Sequence, residues 1–212
     1  MKKVNLKIFF IFILLSNLIF FNLQSQINNK IVVKVGELLV TSVDIQNEII
    51  TNLLINKQEI TQENINNNKN FSIKNLINKA IKQSEVDKYQ IKDYSKSDLQ
   101  NYIKKISKIF NTDKNGLKII FKKNNLNFQV FLEKHKTELL WNTLIFQMYR
   151  NQMNINIIEV DTEVERYKGN KSEEELKKIR ENVLNEKRNE KLSLFSRSRF
   201  SNLENTVIID FK

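Results

Sequence analysis

The chain has 212 residues and a formal charge of +11, with no Cys, no Pro, three Gly and one His. Those absences exclude a disulfide scaffold, a thiolate nucleophile or zinc site, any site built on two His, and a Gly-rich phosphate loop. Scarce Gly and absent Pro also argue against an all-β sandwich with its many tight turns, which leaves a mainly helical protein that binds something.

The charge has a compositional origin. Asn, Lys and Ile number 31, 29 and 28, against only six Arg. A joint excess of these three residues is the mark of AT-rich coding. Nucleic-acid binding shows Arg clustered on one face or a recognised module, and neither is visible, so no nucleic-acid partner is expected. Spread positive charge serves solubility.

Residues 1–25 read as a secretory signal peptide. Met1 to Lys7 is basic, Ile8 to Leu23 is apolar apart from Ser16, Asn17 and Asn22, and Ser25 is a small residue at the cleavage position. The competing reading is an uncleaved anchor, but a spanning helix wants about 20 uninterrupted apolar residues. Loss of Lys2, Lys3 and Lys7 takes the charge from +11 to +8. No second apolar run follows, so no integral membrane segment is expected after cleavage.

Ile31 to Val35 and Leu38 to Thr41 flank Gly36-Glu37 and predict a β-hairpin. A lone hairpin is barely stable, so a third strand is required. A helix start follows at Thr41 to Asp44, with Ile45, Ile49, Leu53 and Leu54 at helical spacing. Residues 62–70 read as an Asn-rich loop. Ser72 is placed as the cap of a second helix bearing Ile73, Leu76, Ile77, Ala80 and Ile81. Ser97-Asp98 opens a third, with a stripe of Leu99, Tyr102, Ile103, Ile106 and Phe110. Thr112-Asp113 opens a short fourth carrying Leu117, Ile120 and Phe121.

The fifth helix, about residues 128–152, is apolar on all sides of its second half, which predicts a central position. Asp161-Thr162 is read as the cap of a short piece ending at Tyr167. After Gly169-Asn170, Ser172 to Glu175 starts a charged helix whose acids lie at its beginning and whose bases dominate towards Lys191. Thr206 to Phe211 is a β-type run, and its simplest partner is the N-terminal hairpin.

Catalytic patterns are weak. His135 and Glu138, three apart on one helix, suit a metal or acid-base pair, but no second strong ligand lies near in sequence. The pairs Asp44/Glu48 and Glu159/Glu163 are explained as helix-start acids. No Ser sits in a nucleophile-elbow context. No catalytic residue, metal or cofactor is expected.

The block 31–45 (IVVKVGELLVTSVDI) resembles the opening of the SurA family of periplasmic chaperones for outer-membrane proteins. Further blocks follow in the family's order. They are Leu76-Ile77 through Ile91, Ser97-Asp98-Leu99 through Phe110, Thr112 to Asn125, Phe128 to Ile158, the junction Ile155 to Tyr167, and the tail Phe195 to Phe211. Two departures are plain. The Gly of the Leu-x-x-x-Gly stretch that ends the family's form of the Thr112 to Asn125 block is missing, and Val160-Asp161 stands where a Pro is common. The family carries one or two parvulin-type isomerase domains, each of about a hundred residues, between junction and C-terminal helix. Here only residues 169–171 separate them.

The resemblance implies a multi-helix, mainly α domain like the SurA N-terminal domain over residues 26–168. A C-terminal helix and strand at 169–212 would pack back on it, and hairpin and strand would form a small antiparallel β element. It implies a periplasmic, ATP-independent holdase for unfolded outer-membrane protein chains, without isomerase activity. The alternative is an envelope structural or adaptor protein gripping one folded partner. Large aromatic and flexible Met side chains suit promiscuous binding, which makes Phe121, Phe128, Phe131, Met148 and Met153 the candidate groove residues. Each competes with a plain core role. Clients and oligomeric state are not legible.

Overall fold

A computed structural model describes residues 29–169 and 171–212, and the leader read at 1–25 lies outside them. The elements run β1 (Ile31–Val35), β2 (Leu38–Thr41), α1 (Ser42–Ile55), α2 (Gln62–Lys88), α3 (Lys96–Ile109), α4 (Lys114–Lys123), α5 (Phe128–Tyr149), a 3-10 turn (Arg150–Gln152), α6 (Ile157–Glu165), α7 (Glu173–Glu204) and β3 (Ile209–Phe211). The fold is mainly α with one small antiparallel sheet.

The sheet has the order β2-β1-β3, so both ends of the described chain meet on β1. Val35 pairs with Leu38 across the two-residue connection, and Gly36 takes the left-handed φ of +55° that such a connection favours. On the other side Val33 faces Phe211 and Val35 faces Ile209. The third strand that the hairpin required is therefore the C-terminal run. It is shorter than read, because the Thr206 and Val207 amides still bond to the Leu203 carbonyl at the end of α7.

Three hydrophobic clusters carry the packing. The first joins the sheet (Val33, Val35, Val40) to α1 and α2 through Ile45, Ile49, Leu53, Ala80 and Ile81, with Leu203 and Val207 closing it from the C-terminal side. The second gathers α3, α4 and the start of α5 around Phe121. The third sets Val86, Trp141, Leu144 and Ile145 against Leu192, Phe195 and Phe200 of α7. As its pattern predicts, α5 is central, packing on α2, α3, α4 and α7. It still leaves Val130 and Phe146 about half exposed.

Several boundaries move. Residues 62–70 are the first turns of α2, not a loop. Thr61 caps the helix, Ile65 packs on the core, and Asn side chains bond along the helix, as Asn68 Nδ2 does to the Asn64 carbonyl at 2.9 Å. Asn is a mediocre helix former, but no Gly or Pro interrupts the run. Ser72 is then interior and fully buried, its hydroxyl accepting from Asn52. Ser95 rather than Ser97 caps α3. Asn156 caps α6, one turn before Asp161. The charged stretch and the tail through Leu203 are one continuous helix, α7, opened by a Ser172–Glu175 capping box.

Helix ends solve a problem set by composition. The left-handed residue after a helix is usually Gly. Here Lys57, Gln90, Asn111 and Asn125 take it, with φ between 50° and 56°. Each end shows the paired closing bonds of a Schellman motif, for example Gln90 N–H to the Asp87 carbonyl and Ile91 N–H to the Val86 carbonyl.

Two buried polar contacts lock α7 in place. Arg199 donates to the Glu85 carboxylate on α2, which is 4% exposed. Trp141 Nε1, fully buried on α5, donates to Ser196 Oγ at 2.7 Å. Removing one partner of a buried pair strands the other charge. Arg199→Ala should therefore cost about 3–5 kcal/mol in denaturant unfolding, and pairing it with Glu85→Leu should recover a large part of that loss. Gln90→Gly should raise stability by about 1 kcal/mol by relieving the left-handed strain. Equal midpoints for wild type and Q90G would contradict the strained cap.

Candidate functional site

A cleft of about 230 Å³ lies between β2 and the N-terminal half of α5, floored by α1 and α2. Leu38, Leu39 and Val40 form one wall, Leu126, Val130 and Phe131 the facing wall, and Leu76 and Ala80 part of the floor. Leu39 and Val130 are each about half exposed, so the apolar walls open to solvent. Val130 reaches the rim because Asn127 caps α5 with its side-chain oxygen, accepting from the Gln129 and Val130 amides.

Several polar residues of the cleft are held by hydrogen bonds and one ion pair. Glu48, 6% exposed, accepts from Lys134 and Asn52, and from Asn75 at 3.2 Å. Asp44 accepts from both the Thr41 amide and its hydroxyl. Glu48 is thus more than a helix-start acid. It is a buried anchor joining α1, α2 and α5, and it fixes the wall that Lys134 shares with Val130 and Phe131.

The five groove candidates do not share one surface. Phe121 is fully buried, and its ring packs on Phe131 and Phe128 at centroid distances of 4.7 and 5.5 Å. It sits in the core, because α4 buries its apolar face against α5, and it does not line the cleft. Phe131 is 7% exposed but borders the cleft, and Phe128 is half-buried beside it. Met148 packs in the third cluster near the other end of α5, about 25 Å along the helix from Phe131 at 1.5 Å per residue. Met153 lies beyond the 3-10 turn and is half-buried. Leu38, Leu39 and Val130 were missed. The signal for Leu38 and Leu39 was an apolar pair on a hairpin strand, and no local pattern marks Val130.

His135 and Glu138 do not act together. His135 stacks on Tyr102 at 3.5 Å between ring centroids, and Glu138 pairs with Lys82 at 2.6 Å. Burial lowers the His135 pKa, against the pull of Glu138 and Asp98. Burial pushes the Tyr102 hydroxyl up to about 12, with the Glu48 carboxylate adding to the rise. Among the described residues no group of three or more His, Asp or Glu is placed to hold a metal ion. Nor is any described helix long and apolar enough to cross a membrane.

A raised Tyr102 pKa favours the neutral form in the folded state. Its contribution is complete below the unfolded value near 10 and is lost as pH rises through about 12, roughly 2–3 kcal/mol in all. Alkaline unfolding should show that slope, and Tyr102→Phe should flatten it. His135 works in the opposite sense, since its lowered pKa gives a contribution present above about 6.5 and lost on acidification.

No protein-family model matches the chain, and no curated protein matches it. Among solved structures it is similar to one reported with the virulence factor PEB4 and the periplasmic protein Cj1289 of Campylobacter jejuni, described as two structurally related SurA-like chaperones. The identity is 15%, the match covers 87% of this chain and 99% of that one, and the TM-score is 0.42. A similarity of that grade leaves the functional reading to the geometry of the chain itself.

Proposed function

We propose that the protein is a periplasmic, ATP-independent chaperone that holds unfolded outer-membrane protein chains. The observation that carries the reading is the open cleft with exposed apolar lips, Leu39 on the sheet and Val130 on α5. A holdase needs apolar surface that water reaches, ringed by enough charge to stay in solution. The ordered series of blocks resembling the SurA family supports it from the sequence side. Passage to the periplasm rests on the leader read at residues 1–25.

The same proposal excludes prolyl isomerase activity. Residues 166–172 alone join α6 to α7, where the family's isomerase domains would stand. α6 and α7 pack directly on each other, with Val160 and Val183 buried and Arg180 bonded to Asp161. That short connection has no space for a domain of about a hundred residues.

Purified protein lacking residues 1–25 should suppress aggregation of a denatured porin diluted from urea. Absence of suppression at several-fold excess would sink the reading. Capture of one folded protein, with no affinity for unfolded chains, would favour the adaptor alternative instead. Val130→Glu should weaken suppression severalfold while leaving the thermal midpoint nearly unchanged, since exposed substitutions move stability by only about 0.5 kcal/mol. A Pro-containing peptide should isomerise at its uncatalysed rate in the presence of the protein.

A further inference from the structure

The cleft meets the sheet at its edge strand, β2. Leu38, Leu39 and Val40 are consecutive in β2, so their side chains alternate between the two faces of the sheet. Their burial follows that alternation: Val40 is 4% exposed and Leu39 is 51% exposed. All three nevertheless border the same cavity. A cavity that runs along the outer edge of the strand meets three successive residues in this way.

The hydrogen-bond parity of the sheet says which backbone groups lie on that line. Gly36 N–H donates to the Ile208 carbonyl at 3.0 Å, and Lys212 N–H donates to the Val32 carbonyl at 2.9 Å. In an antiparallel ladder the bonding positions alternate, so Lys34, midway between them and opposite Asp210, turns its own amide and carbonyl towards β3. Leu39 faces Lys34 on the other side and is therefore at a non-hydrogen-bonded position of the β1–β2 pair. Its N–H and C=O point away from β1, outward over the cleft.

We infer that the cleft takes its client as an added β-strand: an extended, unfolded segment bonding to the Leu39 amide and carbonyl, with an apolar side chain lodged between β2 and Val130. This rests on the holdase reading and names the conformation in which the client is held. A helix has spent its backbone groups internally and cannot answer an open donor and acceptor on a strand edge, whereas an extended chain can. Backbone bonding reads no side chain, which suits a binder of many sequences. The neighbouring edge groups are committed elsewhere, since the Thr41 amide bonds to Asp44 and Thr41 caps α1. The site therefore offers a short grip, and short edge strands are those that resist runaway pairing.

The test uses the protein without residues 1–25 and a ten-residue peptide of alternating Val and Thr. Amide exchange followed by NMR should show Leu39 slowed at least tenfold on peptide addition. A copy of the peptide N-methylated at every second residue keeps its side chains and loses one edge of donors, and should bind at least fivefold more weakly. Leu39→Pro removes an amide that the β1–β2 ladder does not use, and should weaken peptide binding by a similar factor while keeping the wild-type helical spectrum. An unchanged Leu39 exchange rate with saturating peptide, or equal affinity for the methylated copy, overturns the added strand. If the protein still suppresses porin aggregation in that case, the holdase reading stands without it. If it binds neither peptide nor porin, both readings fall together.

Discussion

A carboxylate buried at 4% exposure needs a partner, and Glu85 has one only because Arg199 arrives from the far end of the chain. That demand places the last turns of α7 on α2. Ser196, one turn earlier, satisfies the indole of Trp141 on α5. Phe200 and Leu203 then fall against both the first and the third cluster. With α7 held at these points, the residues after Glu204 have little choice of direction. β3 meets β1, the sheet gains its third strand, and β2 is left as an outer edge facing the cleft.

The cleft depends on a second constraint of the same kind. Glu48 draws Lys134, Asn52 and Asn75 together, so the wall carried by α5 stands at a fixed distance from the strand wall. One face of α1 packs on the sheet cluster and the opposite face, through Ile50, Leu54 and Ile55, on the cluster of α3, α4 and α5. The groove is thus a gap between two cores that α1 and the Glu48–Lys134 pair help to hold together. Fixed walls with open apolar lips would suit the proposed role, in which one surface serves many clients.

Much of this was legible in the sequence. The hairpin, the central α5 and the return of the C-terminal strand follow from local pattern plus the instability of a two-stranded sheet. Errors gathered where composition overrode convention. Asn normally marks loops, so the first turns of α2 were read as one, but in a chain this rich in Asn the residue carries less meaning. The same drift put Lys, Gln and Asn into helix-terminal positions normally held by Gly, hiding four well-formed stops. The site was less legible than the fold. Periodicity says that Phe121 and Phe131 face inward, but not which inward face closes completely. The two-residue hairpin already turns the Leu39 amide away from β1, but that β2 stays an open edge depends on β3 docking on β1, and no local pattern contains that choice.

The pairing of Val35 with Ile209 joins segments from opposite ends of the chain. Contacts between such distant positions must overcome a large loop-closure entropy and form slowly relative to local helices. Folding should therefore run in two stages, with α2 to α5 collapsing early and β1 remaining half-paired until the final strand docks. During that interval β1 is itself an unsatisfied edge. On the proposed function, a chain caught at that stage would itself be a client of the kind it is proposed to hold.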